Sequence, residues 1–164
     1  MNTMNSTPDS SPQVNDLPAT FLAAQSVLIS QIHELLRTAA QSLGMDEGQA
    51  QQTAHSGGVL LDGTTVLVTA VALEPIESSR LVISAGLGRN LSDTSTAGLM
   101  AVLVQGAALL AVHEFAIGSD PDGELTLYRS RNPNSTTSDD LVTDMLALRQ
   151  MVALLQDATR EEGQ

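Results

Sequence analysis

The stretch 96–112, TAGLMAVLVQGAALLAV, decides how the rest of the chain is read. Its only polar side chain after Thr96 is Gln105. The run is rich in Ala and too long for a buried strand, so it reads as a helix, with Ser92, Asp93 and Thr94 as capping residues upstream. Its apolar side chains form no single stripe. A helix that is apolar all round has to be covered all round. One flank can face a sheet of the same chain. The other needs a second cover, and a second copy of the chain supplies it most simply. Leu99, Leu103, Gly106, Ala107 and Leu110 are the candidate dimer contacts, and the alternative arrangement turns this face onto the chain's own sheet and dimerises through the opposite one. The near-continuous apolar run 97–112 falls short of the roughly 18–20 residues that a membrane crossing needs, so no membrane insertion is expected.

Downstream, residues 113–118 and 124–129 read as two short strands. Asp120-Pro121-Asp122-Gly123 joins them as a turn, because Pro presets φ and Gly accepts a positive φ. A polar loop follows over 129–136. Thr137, Ser138, Asp139 and Asp140 then cap a last helix, their carboxylates suiting its N-terminal partial charge. Its stripe is Leu141, Met145, Leu148, Val152 and Leu155.

Upstream, residues 80–87 alternate Leu81, Ile83, Ala85 and Leu87 toward one face, as a half-buried strand does. Before them lies a hairpin: Val59-Leu60-Leu61, the turn Asp62-Gly63, then 64–73. Asp-Gly between two β-prone runs is a strong hairpin signal, since both turn positions take positive φ. The second hairpin strand is apolar at nearly every position, which predicts cover on both its faces. Residues 45–56 are polar and Gln-rich and read as a linker or one weak helical turn. Ahead of them, Ala24, Leu28, Ile32, Leu35, Leu36, Ala39 and Leu43 recur in steps of three and four over a first helix of about 20–43. Asp16-Leu17-Pro18 begins it and Gly44 ends it.

The order is αβββαββα, which predicts an α+β fold with a twisted antiparallel sheet, forming a homodimer. One domain spans 17–158. Residues 1–16, rich in Asn, Ser, Thr and Pro, read as a disordered tail, and 159–164 as a frayed end. Length agrees: 164 residues fit about one domain.

Composition narrows the function. Hydrophobic residues make up 42% of the chain but aromatic ones only 2%, so the core has to be aliphatic. All seven basic residues are Arg, against 19 acidic ones, for a formal charge of −12. Such a surface repels nucleic acid and anionic membranes and leaves proteins as the best-suited partners. Without Lys there is no Schiff base and no phosphate-binding P-loop lysine. Without Cys there is no disulfide, thiol nucleophile or thiolate metal ligand, which fits a cytosolic protein. Residues 1–20 show no secretory signal.

No catalytic constellation emerges. His33, His55 and His113 are not at metal-ligand spacing. Gly86-Leu87-Gly88 lacks the third Gly of a dinucleotide fingerprint, since Leu91 stands there. Asp120 and Asp122 lack the rest of a calcium loop. Asp139-Asp140, the obvious carboxylate pair, is explained by capping. No cofactor is expected and no enzyme activity. The surplus in this chain is apolar surface, and that points to an interaction protein.

Certain residues carry a resemblance. Leu35-Leu36 followed by Leu43-Gly44, and the later strand-turn-strand 117–127, IGSDPDGELTL, are similar to the "LL…LG" and "LGLDPDG…L" segments of the class I type III secretion chaperones, the Tir chaperone family. The resemblance spans about 20–158. The polar segment 45–56 and the loop 132–134 depart from that pattern. What it implies is a homodimer in the bacterial cytoplasm, joined through the middle helix and the adjoining strand. The dimer would bind the non-globular N-terminal segment of a secreted effector and hydrolyse no nucleotide. The secretion-apparatus ATPase becomes a candidate partner. The effector-binding candidates are Leu28, Ile32, Leu35, Leu36, Val59 and Leu61. The alternative is a roadblock-like scaffold of a signalling or GTPase-regulating complex, whose first hairpin resembles 58–63. That fold takes three strands after its second helix, where only two fit here.

Overall fold

The structure is a computed structural model, and residues 19–161 are described. The tail 1–16 and the Asp16-Leu17-Pro18 helix start lie outside these residues, as do 162–164. The elements are α1 (Ala19–Ser42), α2 (Glu47–Ser56), β1 (Gly58–Leu61), β2 (Thr64–Val71), β3 (Arg80–Asn90), α3 (Thr96–His113), β4 (Ala116–Ser119), β5 (Glu124–Arg131) and α4 (Ser138–Glu161). The five strands form one antiparallel sheet in the order β1-β2-β3-β5-β4. The fold class is α+β, as the pattern of runs implies.

One element goes beyond the expected order. Residues 45–56 hold a full helix, α2, giving ααβββαββα. Its cause is local. Asp46 accepts from the Gln49 backbone N–H at 2.8 Å, and the Gln49 side chain accepts from the Asp46 N–H at 3.1 Å. That reciprocal pair satisfies two otherwise free donors at a helix start. Ala50, Thr53 and Ala54 are small and buried, so α2 packs on α1 without an apolar stripe of large residues.

The core lies on one face of the sheet. Val66 and Val68 of β2, Leu81, Ile83, Ala85 and Leu87 of β3, and Leu125 and Leu127 of β5 point into it. Leu28, Ile32, Leu36 and Ala39 of α1 and Leu141, Met145, Leu148 and Val152 of α4 cover them. The alternation on β3 and the α4 stripe are those read from the sequence. α4 runs on past Thr159 to Glu161.

β2 corrects an expectation. Its positions alternate, with Val66 and Val68 buried and Thr65, Leu67, Thr69 and Val71 exposed. Nothing in the described residues covers its second face, so its apolar run does not mean two-sided burial. The hairpin turn is as expected, Asp62 and Gly63 taking φ of 47° and 83°.

Candidate protein-binding surfaces

α3 is held at both ends. Ser95 accepts from the Gly98 N–H at 3.1 Å, and Glu114, in the left-handed region with φ 58°, donates its N–H to Leu110 at 3.3 Å. His113, expected at the start of a strand, is the helix's last residue. The helix rests on β4 along a narrow line. A Cβ on Gly106 would stand 3.4 Å from Ile117 Cδ1, so a glycine there lets the helix backbone approach the strand. Val102 is buried and Leu109 half-buried against the core. Gln105 also turns inward, sharing a small cleft with Leu87, Ile117 and Leu125, and its carbonyl oxygen is buried with no hydrogen-bond partner among the described residues.

This placement divides the dimer candidates. Leu103 is 64% exposed and Leu110 57%, with Ala107 exposed between them. Leu99 is half-buried at the rim. Gly106 belongs to the other side, against the chain's own β4, and is corrected from an outward contact to an inward one. Met100, Val104 and Val112 extend the outward ridge. Because the one polar side chain of 100–112 faces inward, the outward ridge is wholly apolar. The full helix, 18 residues from Thr96 to His113, is long and apolar enough by length and composition to cross a membrane, which the shorter count 97–112 missed.

A second uncovered surface lies where α1, α2 and β2 meet. β1 pairs with β2 only over 64–67. At Val68 the strand's N–H donates to the Gly57 carbonyl at 2.8 Å, and there α2 ends against the sheet. A Cβ on Gly57 would sit 2.8 Å from the Val68 carbonyl oxygen, and its φ is 72°, so this junction requires glycine on both counts. Past Val68, residues 69–71 of β2 have β3 on one side and no strand on the other. Beside that free edge is a depression of about 260 Å³, lined by Ile29, Ile32, His33 and Leu36 of α1, Ala54 and His55 of α2, and Val68 and Ala70 of β2. Farther along the same segment Val71 and Leu73 are also exposed, Val71 on the sheet's open face opposite Val68 and Ala70.

The effector candidates fall unevenly around it. Ile32 and Leu36 form the floor of the depression but are almost entirely buried. Leu28 is buried too, under a separate hollow lined by Val27 and Ile76. Val59 is core, and Leu35 and Leu61 are half-buried against it. Burial by α4 and the sheet, which the α1 periodicity alone does not reveal, takes Leu28, Ile32, Leu36 and Val59 out of free contact. Ile29, Val71 and Leu73, which sequence reasoning missed, are the exposed apolar side chains.

The polar groups here are structural. The fully buried Asp144 binds two guanidinium groups, Arg129 at 2.8 Å and Arg131 at 2.6 Å. The hydrogen bonds to Asp144 hold the Arg131 guanidinium above its ordinary range. Arg129 also reaches Glu114 at 3.2 Å and lies over the Phe115 ring, 5.2 Å from its centre. The cluster thereby ties the C-terminal end of α3 to α4. His33 and His55, 22 positions apart in sequence, come together with ring centres 6.0 Å apart. Among the described residues no three His, Asp or Glu gather to hold a metal ion.

No family model matches the chain, and no curated protein matches it in sequence. Solved structures do. A chain of the ExsC–ExsE complex aligns over 79% of this chain and 94% of its own, with a TM-score of 0.57 and 18% identity. A chain of the HopA1–SchA chaperone–effector complex aligns over 81% and 97%, with a TM-score of 0.53 and 20% identity. The Yersinia pestis type III secretion chaperone SycH, in complex with a stable fragment of YscM2, gives 76% and 98%, a TM-score of 0.53 and 23% identity. At these identities the likeness is one of fold: the chain has the fold found in type III secretion chaperone complexes.

Proposed function

We propose that this chain is a class I type III secretion chaperone, a cytoplasmic bacterial homodimer that holds the N-terminal segment of a secreted effector extended and ready for export. The observation that carries the reading is the apolar depression beside the free edge of β2, in a fold shared with chaperone–effector complexes. An extended segment can add to such an edge through backbone hydrogen bonds and seat alternate side chains in adjacent hollows. An unfolded segment loses conformational freedom on binding, so it needs apolar contact area in return. Ile29, Val71 and Leu73 offer it.

The outward ridge of α3, Leu103, Ala107 and Leu110 with Leu99 at its rim, is the proposed dimer contact. Its apolar continuity favours a second copy of the same ridge over solvent. The charge of −12 keeps a protein with such exposed clefts from self-association beyond the dimer. The role is one of binding, without catalysis or cofactor. The secretion-apparatus ATPase is a further proposed partner of the loaded dimer.

The test is coexpression with the secreted protein encoded beside this gene. The expected product is a purified complex of two chaperone chains and one effector, counted by light scattering. A monomer that retains no such protein overturns the reading.

A further inference from the structure

We infer that the open face of the sheet seats an arginine side chain from a segment of a partner protein, held by the Asp120 and Glu124 carboxylates and the Tyr128 ring. The seat lies on the opposite side of the sheet from the depression proposed for the effector, and it holds independently of that role. Alternation turns Leu81, Ile83, Ala85 and Leu87 into the core and leaves Ser84, Gly86 and Gly88 on the other face of β3. Leu60 of β1 and Leu67 of β2 are exposed on that face. Between β2 and the β4–β5 turn the face sinks into a hollow of about 550 Å³. Leu67, Thr126 and Tyr128 are among its walls, and its charged rim is Asp62, Asp120 and Glu124.

Two glycines shape the hollow. A Cβ on Gly86 would run into Glu124 Oε1, so glycine there lets that carboxylate lie across β3, where it accepts from the Gly88 N–H at 2.9 Å. A Cβ on Gly118 would stand 3.2 Å from Tyr128 Cε2, so glycine there lets the ring lean over β4. Asp120 in turn accepts from the Glu124 N–H at 2.8 Å. Both carboxylates are half-buried and aimed by backbone donors, and a carboxylate has acceptor sites left after one such bond. Among the described residues neither makes an ion pair, whereas Asp62, at the far rim, is paired with Arg149. Two carboxylates and an aromatic ring in one hollow suit a guanidinium, whose planar fork donates to carboxylate oxygens and whose face stacks on a ring. Charge complementarity points the same way: a chain of formal charge −12 draws basic segments and repels acidic ones. Leu60 and Leu67 offer apolar contact beside the rim, so the segment that fits carries Arg next to apolar side chains.

The test uses two synthetic peptides, a capped pentapeptide alternating Leu and Arg and the same peptide with Gln for each Arg. Each is titrated calorimetrically into the purified full chain. Wild type is expected to bind the Arg peptide about tenfold more tightly at about 50 mM salt, with the gap narrowing at about 0.5 M. Asp120→Asn/Glu124→Gln, whose amide oxygens still accept from the backbone N–H groups, is expected to bind both peptides alike. Tyr128→Leu is expected to give up about threefold of the preference. Equal binding of the two peptides by wild type overturns the inference, a comparison that needs no variant to fold. So does an unchanged preference in the double variant with an unchanged thermal melt, which would mean that the charge of the whole chain attracts the peptide. A halved mass of the double variant by light scattering would assign the face to a second copy, and overturns it too.

Discussion

The carboxylate of Asp144 makes two hydrogen bonds to the guanidinium of Arg131, at 2.6 and 2.8 Å, and has no exposed surface. Arg129 reaches the same carboxylate at Oδ1, the oxygen that also takes one of the Arg131 bonds. Two cations on one buried anion form a cluster in which each charge depends on the others. It sits between α4 and β5, and through Arg129, Glu114 and Phe115 it fixes the point where α3 turns into β4.

Asp144→Ala leaves two guanidinium groups facing a buried void. A broken buried ion pair costs about 3–5 kcal/mol, so urea unfolding is expected to shift by that order. Asp144→Leu, which fills the volume but not the charge, is expected to recover little, because Arg131 is left without its carboxylate and Arg129 keeps only the exposed Glu114. A shift under about 1 kcal/mol for both variants would mean that the cluster is solvated in solution.

Leu103→Asp places a charge in the middle of the α3 ridge without touching the core. The expected result is a monomer of the parent chain's fold, read as a halved mass by light scattering with an unchanged far-ultraviolet spectrum. Gly106→Ala is the contrasting variant. Its new methyl meets Ile117 inside the chain, so it is expected to alter stability and leave the mass alone.

Ile29→Asp tests the other surface. Ile29 is exposed on α1, beside the floor formed by Ile32 and Leu36. The variant is expected to weaken retention of the effector segment by at least tenfold, the effect of roughly 1.4 kcal/mol, with the melting temperature little changed. Equal retention by wild type and variant in a pulldown would move the cargo elsewhere.

The start of α4 carries a pH signature. Thr137 and Asp140 bond reciprocally: the Asp140 carboxylate accepts from the Thr137 hydroxyl at 2.7 Å and from its N–H at 2.9 Å, and the Thr137 hydroxyl accepts from the Asp140 N–H at 3.2 Å. Those bonds, the hydroxyl's first, hold the Asp140 carboxyl below its ordinary range. A depressed carboxyl stabilises the fold above its unfolded value, and the contribution fades as pH falls through the lowered one. Asp140→Asn is therefore expected to be less stable than the parent near neutrality, with the difference shrinking as acid protonates the Asp140 carboxyl. Thr137→Ala is expected to cost about 1 kcal/mol at neutral pH. A constant Asp140→Asn difference across that range, followed by urea unfolding, would exclude the cap.

Most of the fold was legible because periodicity reports burial on one side. The β3 alternation names its buried residues correctly, the α4 stripe does so from Leu141 to Val152 with Leu155 half-buried, and Asp62-Gly63 marks its turn. α2 was not legible as a helix because its buried side is Ala and Thr, which carry no strong pattern. Its capping pair, Asp46 and Gln49, was the readable trace. The cargo surface was less legible still. Periodicity tells that Leu28, Ile32 and Leu36 share a stripe, but not whether a second layer covers them, and here α4 and the sheet do. Exposure of Ile29 and Val71 follows from which side of α1 and which face of the sheet are left uncovered, which is a matter of tertiary packing. The pairing of His33 with His55 depends on how α2 folds back on α1, and no spacing rule contains it.

The inward turn of Gln105 has a consequence for the life of the chain in the cell. With its one hydrophilic group hidden, the ridge from Met100 to Val112 gives a newly made copy nothing that water can wet along that side. In the proposed dimer, pairing would add a concentration-dependent share to resistance against unfolding, so that a scarce copy would be a fragile one and the abundance of the protein would help to set how long each molecule survives.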